Sequence, residues 1–249
     1  GPESIRKASW NFEPYNLMTG INIQDCNIHD YGNISINQND TPLDVFKKVL
    51  KFTQHVKNEG KIPFLLGGEH TETAASIHGF GKDIIPIIFD AHLDFRDSYV
   101  NERFNHACTI RRINDVIDGK QIFVIGIRSA DITEYEDAEK AGVHLFTSEA
   151  IQLQGIDTIL STIQQEIKNK SVYLSIDIDV FDPCYAPGTG SLEPFGISPR
   201  AILRTIDFFS SEIKGFDIME VAPLYDHGQT SVLAAKLVRY ALETVCKHK

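Results

Sequence analysis

Several things this sequence lacks narrow what it does. It has four cysteines (Cys26, Cys108, Cys184 and Cys246), scattered and with no C-x-x-C pair. That excludes a disulfide framework and a thiolate zinc knuckle, and fits reduced thiols in a cytosol. No apolar run reaches the 18 residues a membrane span needs, and no signal peptide is visible. Positive charge is scarce: 24 Lys and Arg against 34 Asp and Glu leave a net charge of −10. With no basic stripe to neutralise phosphates, nucleic acid is excluded as a partner. A G-x-G-x-x-G or G-K-[ST] phosphate loop is also missing, which argues against nucleotide binding. Low complexity, internal repeats and linkers are absent, so the 249 residues are expected to form one domain, 1–249.

What is present is strand–helix alternation. Short apolar runs at 62–66, 84–89, 121–127, 143–146, 172–176 and 216–221 read as strands buried on both faces. Helical periodicity fills the stretches between them: 41–58, 70–78, 106–115, 132–141, 156–168, 199–211 and 230–246. The first of these opens on Thr41-Pro42-Leu43-Asp44, an N-cap, a proline and a first-turn acid. The pattern implies an α/β fold, a mostly parallel sheet sandwiched by helices. Residues 19–40 carry the weakest pattern, with room for one short strand.

Three strand ends carry unexpected chemistry. The run IIPIIF (84–89) finishes in Asp90-Ala91-His92-Leu93-Asp94. In an extended chain, alternate residues share a face, so Asp90, His92 and Asp94 converge while Ala91 and Leu93 turn away. VYLSI (172–176) ends in Asp177-Ile178-Asp179, with Asp182 left to serve the following turn. It is no EF-hand, because Phe181 and Asp182 stand where an oxygen ligand and a glycine are required. FLL (64–66) runs into Gly67-Gly68-Glu69-His70. Ligands of open α/β sheets bind beyond the carboxyl ends of strands. His70, Asp90, His92, Asp94, Asp177 and Asp179 therefore form a candidate metal-ligand set. Four carboxylates and two imidazoles, without a thiolate, suit a pair of hard divalent ions such as Mn²⁺ better than one structural zinc. Such a pair generates a hydroxide nucleophile near neutral pH.

LLGGEH (65–70), FDAHLDFR (89–96) and SIDIDVFDPCYAPGTG (175–190) resemble the three metal signatures of the ureohydrolases, the arginase and agmatinase family. Similarity extends through GPESIRKAS (1–9), FNHACTIRRI (104–113), VIGIRS (124–129) and DIMEVAPLYDHGQTSVLAAKLV (217–238), nearly the whole chain. The resemblance implies a three-layer α/β fold and two manganese ions per chain. His70 and Asp94 would bind one, His92 and Asp179 the other, with Asp90 and Asp177 bridging. It assigns Glu220 to the substrate guanidinium, Asp94 to proton transfer and His106 to a proton shuttle that also borders the substrate. It further implies a trimer or hexamer, a cytoplasmic enzyme of polyamine synthesis, and a strand and loop preceding Gly1.

APGTG (186–190) points to the agmatinase branch, which releases urea and putrescine from agmatine. An entrance bearing Asp97 and Glu102, with Arg96 and Arg103 its cations, suits a small cationic guanidino substrate. Two departures bear on substrate choice: Glu69 where aspartate is commoner, and GSLEPFGIS (190–198) in place of a proline- and glycine-rich TPEPGG stretch. The alternatives are a guanidinobutyrase or arginase, a single-zinc deacetylase of similar fold, or a silent scaffold.

Overall fold

Each apolar run in the sequence becomes a strand, and each is capped by what the sequence places at its ends. The computed structural model describes residues 1–168 and 170–248. In chain order these form α1 (Pro2–Ser9), β1 (Tyr15–Asn16), β2 (Ile21–Asn22), α2 (Pro42–Asn58), β3 (Phe64–Leu66), α3 (Thr71–Phe80), β4 (Ile85–Phe89) and α4 (Thr109–Asn114). There follow β5 (Phe123–Ile127), α5 (Ile132–Ala141), β6 (His144–Thr147), α6 (Ser148–Gln154), α7 (Ile156–Ile167), β7 (Val172–Asp177), α8 (Pro199–Phe208), β8 (Ile213–Met219) and α9 (Gln229–Cys246). Thr41 and Asp44 do form a reciprocal capping box at the start of α2, with Pro42 in the first turn. The short strand expected within 19–40 is β2, paired antiparallel with β1.

The main sheet is six-stranded, ordered β3-β8-β7-β4-β5-β6, and every pairing is parallel. Pleating sorts its residues to two cores. Ile85, Ile87 and Phe89 of β4 join Ile159, Ile163, Ile202, Ala234 and Ala241 from α7, α8 and α9 on one face. Ile88 joins Phe46, Val49, Ala74, Ile113 and Ala138 from α2 to α5 on the other. Burial on both faces is why these strands read as continuous apolar runs. This is the single-domain, three-layer α/β architecture expected.

Two glycines let backbone approach the sheet edge where the functional residues lie. Gly126 sits in β5 at φ +102, where the register with β6 shifts, and a Cβ there would overlap a methyl of Val180. Gly67 continues β3, its N–H donating to Ile218 O at 2.8 Å. A side chain at Gly67 would occupy the space of the Met219 sulfur.

Candidate active site

Residues at and beyond the carboxyl ends of β4, β5, β7 and β8 line one cleft of about 510 Å³, and His70, which follows β3, is buried against Asp94 of that lining. β4 and β7 are adjacent in the sheet, so Asp90 and Asp177 emerge side by side. The convergence is not achieved by pleating as the sequence suggested. β4 ends at Phe89, before Asp90. Asp90 Oδ1 accepts from the His92 N–H at 2.6 Å, a turn of the Asx kind. Asp94 then adopts φ +52, a left-handed conformation uncommon for a side-chain-bearing residue. Ala91 and Leu93 are fully buried, but Leu93 borders the cleft instead of turning away from it. β7 repeats the device: Asp177 Oδ1 accepts from the Asp179 N–H at 2.9 Å, and Asp179 lies in a 3₁₀ turn rather than in a strand. Turn chemistry and ligand placement are one feature here. Asp182 does serve a turn, accepting from the N–H groups of Cys184, Phe195 and Gly196.

Two groups of ligating atoms result, His70–Asp90–Asp177 and Asp90–His92–Asp179, and Asp90 belongs to both. His70 Nδ1 lies 2.9 Å from Asp90 Oδ2, 3.2 Å from Asp177 Oδ2 and 3.5 Å from Asp94 Oδ2. His92 Nδ1 lies 2.9 Å from Asp179 Oδ2 and 3.7 Å from Asp90 Oδ1. His70, at the N-cap of α3, is completely buried. Its Nε2 meets Ser175 Oγ at 3.2 Å, and Ser175 meets Thr73, whose hydroxyl donates to Asp217 at 2.9 Å. The Tyr173 hydroxyl donates to the same Asp217 carboxylate at 2.7 Å. This buried chain leaves His70 Nδ1 facing the carboxylates, the outer support that metal-ligating histidines require.

Electrostatics point the same way. Burial, and then the charge of Asp90, push Asp94 up to about 7. Burial, then Asp179, likewise raises Asp90 and Asp177. Burial alone would lower both histidines, but the surrounding carboxylates carry His70 well above its ordinary value and His92 to about 9. Carboxylates crowded in a dry site call for cations. His70 Nδ1 and Asp90 Oδ2 are both buried without an aligned hydrogen-bond partner, although native proteins rarely leave such atoms unpaired. The donor set fits two divalent ions with mixed oxygen and nitrogen ligation.

The cleft wall holds the other two residues singled out in the sequence. Glu220 follows β8 at φ +60, a second left-handed residue, and its Oε1 accepts from the His70 N–H at 2.8 Å. Burial raises its pKa. His106 sits at the lip, half exposed, with Nδ1 2.9 Å from Glu69 Oε1, which also accepts the His106 N–H. That hydrogen bond, opposed by burial, holds His106 above the ordinary histidine value.

The matching family is named by its model, "Arginase family", which covers residues 1–243. The chain belongs to the arginase family. It is 33% identical to an agmatinase of Bacillus anthracis over 97% of this chain and 83% of that one. It is 34% identical to an N(1)-aminopropylagmatine ureohydrolase of Thermococcus kodakarensis, over 99% and 84%. Among solved structures, the agmatine ureohydrolase of Thermoplasma volcanium superposes with a TM-score of 0.93 at 38% identity, over 98% of this chain and 82% of that one. The expectation of a ureohydrolase enzyme on an arginase-like fold therefore stands, with a paired metal site implied by the two ligand groups.

The entrance of this ureohydrolase differs from the sequence-based expectation. Asp97 and Glu102 do not line the cleft. Asp97 is surrounded by Arg112, Arg103 and Arg111 at 2.7, 3.2 and 3.9 Å, and the Arg112 contact holds its carboxyl below the usual range. Glu102 turns back to accept from the Phe104 N–H at 2.8 Å. The lining acids are instead Asp131 and Glu134 on α5, and the lining arginine is Arg96. Arg96 is engaged by Glu134 at 3.5 Å and by the face of Tyr99 at 5.3 Å. Arg128, in VIGIRS, and Glu193, in the divergent GSLEPFGIS stretch, also border the ligand groups. Arg128 escaped notice because it binds only main-chain carbonyls, which leave no charge partner to read. Among the described residues, no helix is long and apolar enough to cross a membrane.

Proposed function

We propose that the protein hydrolyses agmatine to urea and putrescine with two Mn²⁺ ions. The observation that carries this reading is the pair of ligand groups sharing the buried Asp90, whose members His92, Asp177 and Asp179 line a cleft that Glu220 also lines. His70, Asp94, Asp90 and Asp177 would hold one ion, and His92 and Asp179 would hold the other together with Asp90 and Asp177. When bound, such a pair lowers the pKa of a water toward neutrality and offsets negative charge developing in the transition state.

The chain's own residues do the rest. Glu220 pairs with the planar guanidinium, a charge-assisted contact whose strength depends on the dry setting of this carboxylate. Its grip on the His70 N–H ties substrate placement to the ligand loop. Asp94, at the cleft floor beside His70, takes the proton of the attacking water and passes it to the leaving amine. His106, at the lip and tethered to Glu69, moves a proton between cleft and solvent. The far end of the substrate meets Asp131 on α5. Arg96, already engaged by Glu134 and Tyr99, is not offered to a carboxylate. A small cationic guanidino substrate fits this wall better than arginine does. A cytoplasmic location and assembly into trimers or hexamers belong to the same reading.

Urea release across agmatine, N(1)-aminopropylagmatine, arginine and guanidinobutyrate tests the assignment. Agmatine should exceed arginine in kcat/KM by about 10²-fold, near 3 kcal/mol for one misplaced charge. Glu220→Gln should depress turnover of every guanidino compound alike. Equal efficiency on agmatine and arginine would refute agmatine specificity. Full activity of Glu220→Gln would refute the guanidinium contact.

A further inference from the structure

The two histidines of the site are built alike at one nitrogen and differently at the other. Each presents Nδ1 to the carboxylates. His70 rests its Nε2 on a buried hydroxyl. His92 is 26% exposed in its side chain, and the side-chain group facing its Nε2 is the carboxylate of Glu193, with Oε1 at 3.7 Å. That separation is an ion-pair distance, about half an ångström beyond a hydrogen bond.

A surface carboxylate at that distance would mean little if its loop were loose. The loop is fixed here, and Asp182 holds the next two N–H groups along it, those of Phe195 and Gly196. Arg128, just past the Gly126 irregularity of β5, spends its guanidinium on backbone. Nε donates to Glu193 O and Pro194 O at 3.2 and 3.0 Å, and Nη2 to Glu193 O and Asp179 O at 2.7 and 2.8 Å. Nη1 donates to Gly126 O and Val180 O at 3.1 and 3.2 Å. One planar fork therefore locks the main chain of Glu193 to the main chain of Asp179, a ligand candidate. On either side the loop is exposed: Leu192 at 50% and Phe195 at 86%, the latter at φ +65. The backbone of the residue that reaches His92 is anchored.

We propose that Glu193 is the positioning residue of His92: by closing about half an ångström it accepts the Nε2–H and so keeps the Nδ1 lone pair aimed at the Asp90–Asp179 group, with Arg128 holding the Glu193 backbone in place. The assignment rests on the two-cation reading above. Outer partners of this kind are worth about 10- to 100-fold in metal affinity.

The test is Mn²⁺ binding by calorimetry to the stripped full-length chain, wild type against Glu193→Ala, Glu193→Gln and Glu193→Asp, with thermal melts of each stripped protein. Wild type should take up two ions. Glu193→Ala should weaken one site about 10- to 100-fold, leave the other unchanged and melt like wild type. Glu193→Gln, whose amide oxygen still accepts a hydrogen bond, should recover most of the loss, and Glu193→Asp part of it. Wild-type affinity at both sites in Glu193→Ala would overturn the assignment. So would an equal loss at both sites, the mark of general loosening, or no recovery with glutamine. A wild type that binds fewer than two ions would instead overturn the two-cation reading, and this proposal with it.

Discussion

The two halves of the ligand cluster are supported in opposite ways. His70 is wholly enclosed, and its outer nitrogen joins a chain of Ser175, Thr73, Asp217 and Tyr173 that is itself core. His92 is a rim residue beside a surface loop clamped by Arg128. In the first half, anything that disturbs the support also disturbs packing. In the second, support and fold are separable. The pairing shows how one sheet edge can give a shared carboxylate, Asp90, one immovable neighbour and one adjustable one.

The strongest way to break that contrast is to remove what the halves share. Asp90→Ala should abolish binding of both ions, by metal analysis after desalting, and cut urea release by at least ~10³-fold, beyond the loss of a single hydrogen-bond donor. Retention of one tightly held ion would show that the halves are independent. A second change acts outside both. His106→Asn should lower kcat by about 10²-fold with metal content unchanged. A shuttle must be neutral to accept a proton, so its rate falls as pH drops through the folded pKa. Glu69 raises that pKa, so in Glu69→Gln the acid limb of the pH–rate profile should move to lower pH. An unmoved limb would detach His106 from the chemistry.

Ser175→Ala sharpens the comparison directly. It leaves His70 Nε2 without its hydroxyl and takes from Thr73 one of its partners, deep in the core. Unfolding should become easier by about 1–3 kcal/mol, the cost of stranding a buried polar group, and metal affinity should fall with it. A loss of affinity without loss of stability would make the buried half behave like the rim half. The smallest effect belongs to the rim itself. Val100 and Asn101, at φ +50 and +61, form the two-residue turn between Tyr99 and Glu102, which bond each other at 2.8 and 2.9 Å. A β-branched residue pays about 1 kcal/mol for that conformation. Val100→Gly should therefore raise the melting temperature by about 2–4 °C, measured by calorimetry, without altering metal content.

Legibility in the sequence followed the same division. The strands were readable because burial on both faces gives uninterrupted apolar runs. The positions of the candidate ligand groups were readable because charged residues at the end of such runs have no packing reason to be there. How His92, Asp94 and Asp179 reach their places was misread, whereas Asp177 does end its strand. Period-2 alternation and a local side-chain-to-backbone turn put the same letters at the same spacing, and only coordinates distinguish them. The entrance was misread for a different reason. Asp97 and Glu102 sit near the signature in sequence, but Arg112, fifteen residues on, draws the first away from the cleft. Charge neutralisation across a helix leaves no local pattern. Arg128 and Glu193 were silent because one binds carbonyls and the other gains meaning only from a neighbour in space.

The strand order has a consequence for how the molecule comes into being. β3, which carries the loop to His70, pairs within the sheet only with β8, among the described residues. β8 lies at 213–219, roughly 150 positions later in the chain. A ribosome emitting this polypeptide has delivered every ligand candidate by Asp179, yet the berth for the first of them does not exist until β8 slides between β3 and β7. Parallel pairings over such separations form late. Until then the groups that follow β3 have no sheet edge to hold them. Truncation anywhere before 213 should therefore cost the whole centre rather than part of it.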